Sequence, residues 1–137
     1  MFDEKHLPDQ RDTVAPDGSD VRVLLALRRG GLAHFQLAPG AVSVAVRHRT
    51  VDEIWYFLTG RGVMWRRDDD REDEIPVGPG VTVTIPVGTH FQFRADSGAP
   101  LAAVGVTMPP WPGDNEAIRS HGKWPATVSP GQGLADT

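Results

Sequence analysis

His48 and Glu53 stand with four residues between them in the stretch "GAVSVAVRHRTVDEIWYFLTG", Gly40 to Gly60. An imidazole and a carboxyl group brought together inside a protein have three chemical uses. They satisfy each other, or a ligand's polar atoms, in a site without metal, because buried polar groups need partners. They supply part of a divalent metal site. They work as an acid–base pair, the carboxylate orienting the imidazole.

The elements that must position this pair read as strands. Residues 42–48 place Val42, Val44, Val46 and His48 on one face, and residues 53–59 place Glu53, Trp55 and Phe57 together, by the two-residue period of a strand. Further strands are predicted over 21–28, 32–38, 63–67, 81–85, 91–95 and 101–108, with Gly- and Pro-containing turns between them. The charge run 68–74 reads as an exposed hairpin loop. Strands at this spacing mean a β-sandwich or barrel. The expected organisation is a polar N-terminal arm over 1–20, a barrel over 21–108, and a C-terminal flap and tail over 109–137. In the flap Asp114 caps one short helical turn, and Trp111 and Trp124 fold back onto the barrel.

Composition excludes several classes. The chain has 137 residues, which fits one domain with a real core. It has no cysteine, so disulfides, thiolate metal sites and a cysteine nucleophile are all ruled out. A net charge of −4 argues against a nucleic-acid partner, which calls for a basic face. No apolar run approaches a membrane span. The start, "MFDEKHLPDQ", lacks the basic and apolar regions of a signal peptide, so a cytoplasmic protein is expected.

The glycines and one proline carry a second signal. Gly40, Val46, His48, Glu53 and Gly60 are followed by Gly80, Pro86, Gly88, Phe91 and Ala95, and the intervals need no gap to match two motifs of the cupin family, G-x5-H-x-H-x3–4-E-x6-G and G-x5-P-x-G-x2-H-x3-N. The chain resembles a small single-domain bacterial cupin of the type-2 conserved-barrel kind. The resemblance implies an all-β double-stranded β-helix, the cupin or jelly-roll barrel. It also implies a homodimer formed by packing or exchanging edge strands, which suits strand 21–28, because an exposed edge needs cover.

The family holds a divalent metal with three histidines and a glutamate. Carried over residue by residue, the first histidine slot is Val46, the second is His48, the glutamate slot is Glu53 and the third histidine slot is Phe91; the asparagine slot is Ala95. Valine and phenylalanine cannot coordinate a metal. His90 would fill the third slot after a one-residue shift, but alternation would then turn Phe91 and Phe93 outward, at roughly 1.5–3 kcal/mol for each phenyl left in water. His34 alternates away from Ala33, Phe35 and Leu37. The expected site is therefore a mostly apolar pocket lined by Val44, Val46, Trp55, Phe57, Phe91 and Phe93, with His48 and Glu53 as its polar pair. The favoured function is small-molecule binding with an incomplete metal site and no tightly held cofactor. Two alternatives stand beside it. One is a metal-dependent enzyme, a dioxygenase or sugar isomerase-like protein, using His48, Glu53 and a non-standard third ligand, His90 or His34. The other is a metal-free cyclase, epimerase or isomerase with His48 as acid or base.

Overall fold

The structure, a computed structural model, describes residues 2–137. Eleven strands and no helix are formed among the described residues: β1 (Thr13–Val14), β2 (Asp20–Leu27), β3 (Gly30–Leu37), β4 (Val46–His48), β5 (Asp52–Thr59), β6 (Gly62–Arg67), β7 (Glu72–Val77), β8 (Thr82–Ile85), β9 (His90–Ala95), β10 (Leu101–Met108) and β11 (Ala117–Arg119). They make two antiparallel sheets, ordered β1-β2-β3-β10-β5-β8 and β11-β4-β9-β6-β7. This is the jelly-roll barrel that the family resemblance implies. No helix is long and apolar enough to cross a membrane among the described residues.

Strict alternation builds the interior. In β5, Glu53, Trp55 and Phe57 are buried while Ile54, Tyr56 and Leu58 are exposed. The facing sheet contributes Val46, Met64, Phe91 and Phe93 to the same hydrophobic cluster. Phe91 and Phe93 are both inside, so β9 keeps the register that buries two phenyls. The β5–β6 turn depends on a glycine. Gly60 has φ +75°, and a Cβ there would run into the Pro100 carbonyl.

Several regions differ from what the sequence alone marks. The charge run 68–74 is a loop only in part, because from Glu72 the chain pairs with β6 as β7. The helical turn expected after Asp114 is absent. Ala117–Arg119 instead extend as an edge strand, pairing Ala117 with His48 and Arg119 with Val46; an edge with open backbone groups recruits this short segment more strongly than one capping side chain can close a turn. In β2 the register shifts between Val23 and Ala26, so alternation breaks and Leu27 is left exposed. The N-terminal segment is tied down. β1 pairs with β2, the Val23 N–H donates to Asp12 at 2.8 Å, and Arg22 donates to the carbonyls of Pro8 and Asp9. The exposed edge is thus covered within one chain. The tail is also fixed, with Ala135 exchanging backbone hydrogen bonds with Ala117 and Arg119.

Candidate functional site

β4 and β9 meet at the Val46–Phe91 pair, which sets the floor of a cavity between the two sheets. Two positions beyond Val46, the strand pleat turns His48 the same way. On the opposite wall β5 supplies Glu53 and Trp55, and β10 supplies Thr107 beside Glu53. Gly105 lies next to Trp55 in register. A Cβ on Gly105 would come within 2.7 Å of the indole and 2.9 Å of the Phe35 ring. Its absence lets Phe35 and Trp55 stack with centroids 4.8 Å apart. The resulting cavity has a volume of about 480 Å³.

His48 is held from several sides. Its ring packs edge-on against Phe91 at 5.3 Å and Trp111 at 5.0 Å. Trp111 comes from the C-terminal flap and closes over the imidazole as a wall of the cavity. The β4–β5 loop is fixed by Glu116, which accepts hydrogen bonds from the Thr50 N–H, the Thr50 hydroxyl and the Val51 N–H. Burial pushes the Glu116 carboxyl up, but these donors and the nearby His48 outweigh it and hold the carboxyl below its ordinary value.

His48 Nδ1 lies 3.3 Å from Glu53 Oε2. That distance is not matched by hydrogen-bonding geometry, and both His48 Nδ1 and the Trp55 indole nitrogen are buried without a partner. Burial lowers the imidazole to about 4, against a smaller upward pull from Glu116. Burial raises Glu53 to about 8; Asp17 and Glu116 add to the rise, and the Trp55 indole, aimed at the carboxyl, opposes it. At neutral pH the pair is therefore a neutral imidazole beside a protonated carboxylic acid. Asp17, also buried, lines the same cavity. Burial raises its carboxyl too, opposed by the hydroxyl and N–H of Ser19.

The structure brings Val46, His48, Glu53, Trp55 and Phe91 to one cavity. Val44, Phe57 and Phe93 face inward as alternation requires, but they lie in the packed cluster and do not reach the cavity wall. The two histidines considered as third ligands are elsewhere. His90 is on the far face of β9, its Nδ1 2.6 Å from Ser120 Oγ. His34 points out of the other sheet, level with Arg22 and Val104 on neighbouring strands. The slots the family uses for histidine hold Val46 and Phe91, both buried. Among the described residues no three histidine or carboxylate side chains are placed to hold a metal ion. The residues present do not fit a divalent metal, which requires about three protein ligands in an open catalytic site.

Three cavity or supporting residues were missed from sequence. Asp17 sits in "APDGSD", which reads only as a turn. Glu116 sits in the segment read as helical. Trp111 is expected to fold back, but its contact with His48 has no local signature.

A family model for the cupin domain matches residues 33–107, more than half of the chain. The chain is a cupin. Among curated proteins it is similar to the uncharacterized protein MJ1618 of Methanocaldococcus jannaschii, 28% identical over 127 residues that cover 86% of this cupin and 98% of that protein. Among solved structures, oxalate decarboxylase from Bacillus subtilis superposes with a TM-score of 0.71 at 17% identity, covering 87% of the cupin. A variant of Pac13 from Streptomyces, with uridine, superposes at 0.67 and 15% identity, covering 88% of the cupin and 93% of that chain. CapF, a capsular polysaccharide assembling protein of Staphylococcus aureus, superposes at 0.63 and 20% identity. The cupin spans 32% of the length of both oxalate decarboxylase and CapF. At these identities the structural likeness shows the fold alone.

Proposed function

We propose that this cupin binds a small organic molecule in the cavity beside His48 and Glu53, without a catalytic metal. One observation carries the reading: the inner wall sets Val46 and Phe91 in the family's ligand slots while leaving buried His48 Nδ1 without a partner in a hollow that Asp17 and Glu53 also line. Such an unpaired buried group costs roughly 1–3 kcal/mol, a cost that a bound molecule would offset. The volume suits a small-molecule site. Pac13, called a nucleoside dehydratase, is a neighbour of nearly the same length and has structures with uridine, which supports a barrel of this size taking a small organic ligand. Elemental analysis of protein purified without chelator tests the proposal. The expected result is far below one metal ion per chain; about one per chain would contradict it.

A second reading is favoured by the protonation of the pair. A neutral imidazole and a protonated carboxylic acid 3.3 Å apart offer a base and an acid at neutral pH, as a metal-free isomerase, epimerase or cyclase needs. In that case His48→Gln abolishes turnover while leaving ligand affinity within a few-fold.

We also propose a homodimer. The outer face of the six-stranded sheet exposes Leu32, Ile54 and Tyr56, and Val106 lies in register between the first two. A second copy of the same face would cover this patch. Light scattering at micromolar concentration should give twice the chain mass, and Ile54→Glu should return it to one chain mass; a monomeric wild type would refute the dimer.

A further inference from the structure

The charge of the cavity wall narrows the ligand class, if the cavity is a ligand site as proposed above. Asp17, Glu53 and Asp114 contribute three carboxyl groups to the lining, and no lysine or arginine lines it among the described residues. Asp17 and Glu53 are both buried, and the first is close enough to disfavour ionisation of the second. Asp17 already accepts from the Ser19 N–H at 2.9 Å and the Ser19 hydroxyl at 2.7 Å, both at Oδ1. Each carboxylate retains further acceptor sites. Neither forms an ion pair with a lysine or arginine among the described residues, and the imidazole beside Glu53, His48, has its Nδ1 unpartnered at 3.3 Å.

An anionic ligand would find no lysine or arginine on this wall to compensate it, and it would raise further the cost of ionising Asp17 or Glu53. A cation has the opposite fate. It favours the ionised form of a neighbouring carboxyl, so its arrival would draw Glu53 and Asp17 toward carboxylates that pair with it, and the Trp55 and Trp111 rings line the same space. The His48 side chain, 5% exposed, holds an unpartnered Nδ1 on the same wall, which marks it as built for an occupant rather than as a chance acidic cluster.

We propose that the cavity selects an amine: an ammonium group paired with Asp17 and Glu53, carried on an aromatic or aliphatic body that packs against Trp55 and Trp111. Carboxylates and phosphate esters of the same size are disfavoured, because the wall offers acidic groups and no lysine or arginine to pair with them. Asp17 is then a specificity-determining residue, although it lies outside both family motifs.

The test is calorimetric titration of the full chain at neutral pH with three matched probes: tryptamine, the neutral alcohol tryptophol, and indole-3-acetate. Tryptamine is expected to bind at least about tenfold tighter than indole-3-acetate, with tryptophol between them. Asp17→Asn, which keeps the oxygen that accepts from Ser19, should remove the advantage of the amine over the alcohol while tryptophol still binds. Glu53→Gln should reduce the same advantage, and it serves as the readout if Asp17→Asn does not fold. If tryptophol binds but the amine and the acid bind equally, or the acid binds better, charge selection is wrong and the ligand cavity stands. If none of the three binds at low millimolar concentration, both the amine preference and the proposed ligand site fall.

Discussion

The two ends of the barrel interior are built from the same strands by the same alternation, yet they differ. At the closed end Val44, Phe57, Met64, Val77, Phe93 and Leu101 pack against one another without reaching the cavity. At the other end Trp55 and Phe91 stop short of filling the space, and His48, Glu53 and Asp17 face what is left. One end spends its side chains on cohesion. The other leaves buried carboxyls without cations and nitrogens without acceptors, an arrangement that stability alone would not retain. The contrast separates what holds the fold from what gives it a use, within one strand: in β5, Phe57 belongs to the first end and Glu53 to the second.

The largest effect should come from opening the closed end. Phe93→Ala leaves a hole among well-packed neighbours and should cost about 3–5 kcal/mol in denaturant unfolding. If it costs no more than removal of the cavity-wall methyls by Val46→Ala, the two ends are not energetically distinct. A middle effect is expected at Gly105, where the barrel wall thins to admit the aromatic stack. Gly105→Ala drives a methyl into Trp55 and Phe35 and should cost roughly 1–3 kcal/mol, with a change in tryptophan fluorescence as the indole moves into the cavity.

The smallest effect is a pH dependence confined to the hollow end. Glu53 is raised from 4.5 to about 8, so its contribution is full below 4.5 and is lost as pH rises through 8. His48 is lowered from 6.5 to about 4, so its contribution is present above 6.5 and is lost as pH falls through 4. Between 4.5 and 6.5 the two oppose each other, and above 6.5 only the loss from Glu53 remains of the pair. Melting temperature should therefore fall between pH 6.5 and about pH 8.5, and Glu53→Gln should flatten that fall. A wild-type melting temperature that rises over this window would contradict the protonated Glu53.

Much of the fold was legible because a strand's period is short and its turns are marked. Val46 and His48 had to share a face, and Phe91 and Phe93 fixed the β9 register because either phenyl in water is expensive. Alternation separates inside from outside, however, and says nothing about depth along the barrel. Val44, Phe57 and Phe93 were therefore expected on the pocket wall when only Val46, Trp55 and Phe91 reach it. The bulge after Val23 carries no distinctive residue, so nothing local marks where alternation along β2 breaks. Asp17 and Glu116 were invisible as site residues for a different reason. Each acts across the fold, Asp17 through its placement beside Glu53 and Glu116 through donors some 65 residues away, and a long-range contact leaves no local pattern.

The most direct test of the non-metal account is a crystal structure of protein purified without chelator, with anomalous data at the absorption edges of the common divalent transition metals. The account predicts no anomalous peak beside His48, with Val46 and Phe91 facing an interior that holds water or an organic molecule. A peak clasped by three or more protein atoms there would contradict it.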